Sequence, residues 1–287
     1  MEKITNAKRE IQLDNYDAYH IDISPFKNTG LCNQLFLLIH SIAVCIKRKK
    51  PVLFIGKFRL EAYTLKQCNA SRVFDFELIN TFLSNKYKLL LFDEEKRKDF
   101  EGQIMKIETD VVFCSANVNS PLGNEIFDNL HFQKEIILPS EQILNVIKHN
   151  NKSDQINVIH LRIEPDAIKH WSDINKISYN AFEKLVSNKY IEFIKNDINK
   201  NDATIILTGS KSNNVLEFLK LNGYKHFLCK KPSNYREINA IFDLLLGKNC
   251  SNVFIGAGGS TFTQLLANSY KSNVKTKIFN LNDIREQ

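Results

Sequence analysis

The second half of the chain alternates short apolar runs with longer amphipathic segments, and this rhythm is the feature that most restricts the fold. Runs such as INVIHLRI (156–163), ATIILTG (203–209) and NVFIGAG (252–258) are apolar in almost every position. A strand of this kind needs cover on both faces, which helices between parallel strands provide. The pattern therefore predicts an α/β fold with parallel sheets.

The first half follows the same pattern less regularly. Polar residues at KHNNKSDQ (148–155) separate the two halves, so we predict two α/β lobes, 1–153 and 154–287. Strands are predicted at 18–24, 51–58, 87–93, 110–115, 156–163, 203–209, 225–229, 252–258 and 274–281. Helices are predicted at 33–50, 139–154, 178–197, 213–223, 234–247 and 260–269. The first helix is apolar nearly all round, which indicates that it is buried.

Charge and composition limit the partners that the chain can have. The net charge is +7, spread over many lysines, and the densest cluster is KRKK (47–50). A solvated helix end explains this cluster better than a nucleic-acid site does, so we expect no nucleic-acid partner. A mild positive field also favours capture of an anionic substrate such as a nucleoside diphosphate.

The cysteines and the apolar stretches indicate a soluble protein of a reducing compartment. The six cysteines form no CxxC pair and no Cys/His cluster, which argues against disulfides and zinc. The first residues contain no apolar signal region, and no stretch of about 18 apolar residues occurs anywhere. We therefore expect no transmembrane segment and a cytoplasmic location.

Three polar segments follow predicted strands, at the edge where parallel sheets bind ligands. The segment GAGGSTF (256–262) combines glycines with the start of a helix. Gly258 allows close approach of a ligand to the main chain, and the helix N-terminus favours a phosphate. Ser260 and Thr261 either donate hydroxyl hydrogen bonds to that phosphate or cap the helix.

The segment HLRIEPD (160–166) continues from a strand and carries His160, Arg162 and Glu164 at period-two spacing. These side chains are expected to share one face near the end of the strand. The planar guanidinium of Arg162 suits bidentate phosphate contact. The alternative is an ion pair of Arg162 with Glu164 or Asp166 at the rim of the sheet. His170 and Trp171, which follow, are expected to pack or to lie in a loop facing an acceptor.

The segment NTGLCNQ (28–34) lies between the first strand and the first helix. Thr29 and Gly30 predict a tight turn, and we place Gly30 among the substrate-binding residues. The amides of Asn33 and Gln34 can cap the helix. In the functional interpretation, Asn33 faces a substrate hydroxyl or an oxygen of the donor.

Together these segments resemble motifs of the GDP-fucose-using fucosyltransferases. GLCNQLF resembles the G-x-x-N-Q segment of α-1,2-fucosyltransferases and protein O-fucosyltransferases, HLRIEPD the H-x-R motif, and FIGAGGSTF the C-terminal Ser-Ser/Thr-Phe segment. All three occur in the family order over residues 20–270. The resemblance implies two Rossmann-like lobes of GT-B type, with an N-terminal lobe on the acceptor side and a C-terminal lobe that holds the nucleotide sugar.

The resemblance also assigns roles to individual residues. It implies that Arg162 holds the donor diphosphate beside His160, and that Asn33 faces the reacting sugar. Ser260, Thr261 and Phe262 would line the phosphate and base pocket. Asp243 matches an acidic residue that accepts from guanine; the alternative for Asp243 is an exposed position on an amphipathic helix.

The chemistry implied by the resemblance is inverting glycosyl transfer without a metal or other cofactor, with GDP-fucose as the donor and a glycan or protein hydroxyl as the acceptor. The sequence has no convincing DxD motif. Arg162 and the helix N-terminus at Ser260 would stabilise the charge of the leaving diphosphate. Glu164 is the candidate base, or it orients Arg162. The family's asparagine-assisted mode is a further alternative.

One departure leaves the acceptor open. Some protein O-fucosyltransferases carry an arginine in the loop before the asparagine, and NTGLCNQ (28–34) has none. The loop thus resembles the α-1,2 enzymes, whereas HLRIE (160–164) resembles plant O-fucosyltransferase-type proteins. Since related plant proteins include rhamnosyltransferases, a rhamnosyl donor is one alternative. A nucleotide-sugar-binding protein without turnover is another.

Overall fold

The structure is a computed structural model that describes residues 17–25, 30–61, 64, 66–109, 111–151, 154–270 and 272–284, without the side chains of 111–113. Its internal contacts divide the chain into two units. The first unit comprises Met1–Ile137 and Ser233–Ile241, and the second comprises Leu138–Pro232 and Phe242–Gln287.

The first unit is built on a four-stranded parallel sheet. The strands of this unit are β1 (Ala18–Ile21), β2 (Val52–Ile55), β3 (Phe58–Arg59), β4 (Gln67–Cys68), β5 (Leu90–Asp93) and β6 (Ile104–Ile107). The order in the main sheet is β5-β2-β1-β6, while β3 and β4 form a separate antiparallel pair. Its helices are α1 (Leu31–Lys47), α2 (Phe76–Tyr87), α3 (Val111–Val118) and α4 (Pro121–Asp128). Helix α1 packs against α3 and α4 and is buried along most of its length, as its sequence predicted.

The strand predicted at 110–115 is wrong, because Val111–Val118 forms helix α3. The apolar run continues with helical spacing, and Cys114 and Val118, four residues apart, are both buried. A short apolar run of this kind fits a buried strand or a buried helix equally well in sequence. Contact with α1 decides the outcome here.

The second unit is built on a five-stranded parallel sheet, in the order β11-β10-β7-β8-β9. Its strands are β7 (Ile156–His160), β8 (Ala203–Leu207), β9 (His226–Leu228), β10 (Val253–Gly258) and β11 (Lys275–Asn280). The helices along this part of the chain are α5 (Lys134–His149), α6 (Pro165–Asn175), α7 (Tyr179–Asp197), α8 (Asn214–Leu221), α9 (Arg236–Gly247) and α10 (Thr261–Ser269). The predicted α/β fold with parallel sheets is confirmed.

Local sequence explains where several of these helices begin. The hydroxyl of Ser178 accepts the N–H of Ala181 and caps α7, and the side chain of Asn213 caps α8 in the same way. Behind these caps the apolar faces of the helices enter one core with the central strands. Phe182 and Tyr190 of α7 are fully buried in it.

Several boundaries differ from the prediction. Strand β7 ends at His160 rather than at Ile163, because Pro165 and Glu164 begin helix α6, which the sequence did not predict. Helix α5 begins at Lys134 and contains Pro139, whereas we expected a start near Ser140.

The division into units also differs from the predicted boundary after residue 153. Leu138 and the rest of α5 belong to the second unit, and Ser233–Ile241 belongs to the first. Hydrogen bonds explain the second difference: the N–H of Glu237 donates to the carbonyl of Leu60, and the N–H of Arg236 donates to the carboxylate of Glu61.

Candidate functional site

The strand order of the second unit creates a topological switch point between β7 and β10. From β7 the chain adds β8 and β9 on one side, and then crosses to place β10 and β11 on the other. Ligands of open parallel sheets bind at such a point, beyond the carboxyl ends of the strands. Two of the three predicted segments, 160–166 and 256–262, follow the carboxyl ends of β7 and β10.

His160 joins these two segments. Its Nδ1 lies 2.7 Å from Oγ1 of Thr263, and its ring packs on Phe262 with 4.7 Å between centroids. Burial lowers the pKa of His160 to about 4; Glu164 opposes this shift, while Arg162 adds to it. The imidazole is therefore neutral at pH 7 and ties the strand end to helix α10 rather than supplying a positive charge.

Tyr190 holds the main chain where β7 ends, and no pattern in the sequence indicated this role. Its hydroxyl donates to the carbonyl of His160 at 2.7 Å and accepts the N–H of Arg162 at 3.0 Å. This one buried hydroxyl therefore satisfies a backbone carbonyl and a backbone N–H where the strand ends. Arg162 therefore projects from a fixed backbone.

Arg162 forms the ion pairs that the sequence left as the alternative to phosphate binding. Nη1 lies 2.9 Å from Oε2 of Glu164, and Nη2 lies 3.2 Å from Oδ2 of Asp166. The other oxygen of Glu164 accepts the N–H of Gly209 at 3.0 Å. Both oxygens of Glu164 are thus engaged, which is the arrangement of a residue that orients Arg162.

The turn between β10 and α10 is shaped by close packing. Gly259 has φ +82°, and a Cβ there would lie 2.6 Å from the indole of Trp171. A Cβ on Gly258 would lie 3.2 Å from the carbonyl oxygen of Phe279. Ser260 caps α10 by accepting the N–H of Thr263, so the predicted capping role is present. The turn therefore places main chain without side chains, at Gly258 and Gly259, beside the capped N-terminus of α10.

A cavity of about 270 Å³ lies where these segments meet. Arg162 and Asp166 form one part of its wall, and Gly259, Ser260 and Thr261 form another. Trp171 and His170 of helix α6 complete it. The cavity therefore combines a guanidinium with the N-terminus of a helix, and both of these favour an anion.

Asp243 lies in α9 and forms an ion pair with Lys231, whose ammonium donates to both carboxylate oxygens. Its side chain is 15% exposed, so the alternative of an exposed helix position is wrong. Burial raises the pKa of Asp243 to about 6, although Lys231 acts in the opposite direction. Lys231 follows β9 at the carboxyl edge of the sheet, and no motif in the sequence indicated a role for it.

The third predicted segment belongs to the first unit. Gly30 is the N-cap of α1 without a side-chain cap, and the N–H of Leu31 donates to the carboxylate of Glu237. Asn33 lies half-buried in the first turn of the helix. Gln34 does not cap the helix as expected, because its amide exchanges two hydrogen bonds with the main chain of Arg59. Asn28 and Thr29 lie outside the described residues.

Solved structures of fucosyltransferases resemble this chain over most of its length. The NodZ α-1,6-fucosyltransferase co-crystallised with GDP matches with a TM-score of 0.57 and 12% identity, covering 87% of this chain and 91% of that chain. NodZ from Bradyrhizobium matches with a TM-score of 0.57 and 13% identity, covering 86% of this chain and 91% of that chain. POFUT1 in complex with GDP-fucose matches with a TM-score of 0.57 and 10% identity, covering 93% of this chain and 99% of that chain.

The chain has the GT-B fold of these fucosyltransferases. The predicted resemblance is therefore confirmed at the level of the fold, which is what similarity at this identity establishes. By sequence, no family model matches the chain, and no curated protein matches it.

Among the described residues, no group of three or more His, Cys, Asp or Glu side chains is placed to hold a metal ion. Within the same residues, no helix is long and apolar enough to cross a bilayer.

Proposed function

We propose that this chain is a glycosyltransferase that moves fucose from GDP-fucose to a hydroxyl group of a glycan or a protein, with inversion and without a metal. The observation that supports this most strongly is the cavity at the β7/β10 switch point, where Arg162 faces the N-terminus of α10. A diphosphate matches this pairing in charge and in position relative to the sheet.

In the proposed reaction, the acceptor oxygen attacks C1 of fucose from the face opposite the diphosphate. The C1–O bond to GDP breaks as the new glycosidic bond forms, and the proton of the acceptor hydroxyl passes to solvent. Negative charge grows on the leaving diphosphate, and positive charge spreads over the sugar ring. Arg162 and the N-terminus of α10 stabilise the leaving group.

The remaining residues act through shape and orientation in this proposal. Glu164 fixes the guanidinium of Arg162, because its two oxygens already accept hydrogen bonds from Arg162 and Gly209. We assign it this role rather than that of base. Neutral His160 supports Phe262, which lies toward the base, and Asp243 accepts from the guanine edge. Gly30 and Asn33 serve the acceptor side and the reacting sugar.

Incubation with GDP-fucose tests the proposal directly. We expect release of GDP, with slow formation of free fucose in the absence of acceptor, and we expect no loss of rate in EDTA. Arg162→Ala should lower the rate by about a hundredfold or more, as for loss of one preorganised donor to a developing charge. Lys169→Ala, an exposed cation on α6, is the matched control and should retain the rate.

The outcomes separate the alternatives. Tight binding of GDP without turnover by any GDP-sugar would identify a nucleotide-sugar-binding protein. Turnover of a GDP-rhamnose-type donor but not of GDP-fucose would overturn the sugar assignment. Loss of activity in EDTA would overturn metal independence, and full activity of Arg162→Ala would remove this cavity from the reaction.

A further inference from the structure

The two carboxylates that contact Arg162 are held very differently. The side chain of Glu164 is 19% exposed, and its second oxygen is fixed by the N–H of Gly209. The side chain of Asp166 is 49% exposed and forms part of the cavity wall. Asp166 also lies 3.2 Å from Nη2, a longer contact than the 2.9 Å between Nη1 and Glu164. Of the two ion pairs, the one with Asp166 is therefore the longer and the more exposed to solvent.

The two carboxylates paired with Arg162 offset the attraction that the guanidinium and the helix N-terminus offer to an anion. Carboxylates are ordinarily ionised at pH 7 and guanidinium is always charged. Arg162 and its two carboxylate partners then sum to a net charge of −1, and two of these three residues, Arg162 and Asp166, line the cavity that, under the proposed function, accepts a diphosphate. A diphosphate that replaced Asp166 at Nη2 would recover the bidentate contact of Arg162 while leaving the Glu164 pair in place.

We propose that Asp166 is an exchangeable counter-ion of Arg162, which the donor diphosphate displaces on binding and which returns to the guanidinium as GDP leaves. This inference rests on the proposed function. In this role Asp166 weakens the binding of GDP and accelerates its release, because the departing diphosphate is replaced at once by a carboxylate of the protein. Asp166 thereby sets the affinity of the site without supplying a contact to the nucleotide.

The test is the Asp166→Asn variant, which removes the charge and preserves the size of the side chain. Its affinity for GDP and for inorganic pyrophosphate is measured by calorimetry at fixed ionic strength, and the dissociation rate of GDP by stopped flow. We expect the Kd for both ligands to fall by about tenfold, as for removal of one like charge from a partly exposed site. Most of the change should appear as slower dissociation.

Asp173→Asn is the matched control. Asp173 lies on the same helix, is exposed, pairs with Lys169 at 3.5 Å and is not part of the cavity wall. This variant changes the net charge of the protein by the same amount as Asp166→Asn. Because Asp173 is exposed and lies outside the cavity wall, solvent screens its charge, and we expect the Kd to change by less than about twofold. Equal gains in both variants would indicate a general effect of charge and overturn the exchange of ion pairs.

The remaining outcomes distinguish this inference from the proposed function. If the wild-type chain binds GDP and Asp166→Asn binds it equally or more weakly, the inference is overturned and the proposed function stands. If the wild-type chain and Asp166→Asn bind pyrophosphate with the expected difference but neither binds GDP, the inference holds and the guanine assignment fails. If neither form binds either ligand, both proposals are wrong.

Discussion

At Gly259, two independent constraints act on one residue. Its φ of +82° lies in the left-handed region, and the indole of Trp171 occupies the place of a side chain. The sequence indicated a bare backbone turn from its glycines alone. The partner that requires it, a tryptophan on a helix 88 positions earlier, could not be predicted because the helix itself was not.

We expect Gly259→Ala to lower the free energy of unfolding by about 2–4 kcal/mol, combining backbone strain with displacement of the indole. Gly223→Ala is the matched control, since Gly223 has φ +72° with open space around it. That variant should lose only the strain, about 1 kcal/mol. Urea unfolding of both variants measures the difference. Equal losses of unfolding free energy would show that the indole of Trp171 moves aside without destabilising the fold.

At the scale of elements, the start of α1 depends on a residue far along the chain. The carboxylate of Glu237, 2% exposed, accepts the N–H of Leu31 in place of a local cap. The sequence predicted capping by amides of the helix itself. It could not reveal Glu237, because a glutamate in the first turn of α9 is equally consistent with a favourable interaction with that helix's own dipole.

Glu237→Ala should lower the free energy of unfolding by about 2–3 kcal/mol, because it leaves a buried N–H without its acceptor. Glu237→Gln, which keeps one acceptor oxygen, should lose less. Glu77→Ala, at an exposed position in the first turn of α2, is expected to stay within about 0.5 kcal/mol. Chemical denaturation compares the three variants, and an unchanged free energy of unfolding in Glu237→Ala would mean that another group caps α1.

Elements were predicted best where strands and helices alternate regularly. All five strands of the second unit and helices α7 to α10 lie within a few residues of their predicted positions. Two of the errors have different causes: α3 forms because it packs on α1, which is a tertiary contact, whereas β7 stops early because Glu164 and Pro165 begin a helix, which is a local effect.

At the scale of the molecule, two buried histidines make stability depend on pH. Burial is the main cause that lowers the pKa of His20 and of His160 to about 4 from the ordinary value of 6.5. As pH falls from 6.5 towards 4, the unfolded chain binds protons that the folded chain does not. The free energy of unfolding should therefore fall by up to about 3 kcal/mol per histidine over this range.

We expect His160→Gln to show a shallower loss of stability between pH 7 and pH 4.5 than the wild-type chain, whatever its stability at pH 7. His149→Gln, at an exposed position, should leave the slope unchanged. Asp243 acts in the opposite sense, because its pKa is raised to about 6 and its ionisation costs stability as pH rises from 4 to 6. A slope in His160→Gln equal to that of the wild-type chain would contradict a neutral buried imidazole.

The candidate site could be predicted in part, for a topological reason. Segments 160–166 and 256–262 each follow a strand, and the sheet order places those strands side by side. The sequence could therefore indicate that the two segments meet. It offered an ion pair of Arg162 with Glu164 or Asp166 as an alternative, but only the side-chain geometry shows that both pairs form.

The discontinuous first unit has a consequence for the order in which the chain can fold during synthesis. Ser233–Ile241 completes that unit, yet almost a hundred residues of the other unit, Leu138–Pro232, leave the ribosome before it. Until that segment has been synthesised, the N–H of Leu31 and the carbonyl of Leu60 lack the hydrogen bonds that Glu237 provides in the folded unit. We therefore expect the first unit to be completed only after Ser233–Ile241 has been synthesised, and a fragment ending at residue 153 should not reproduce the native amino-terminal unit.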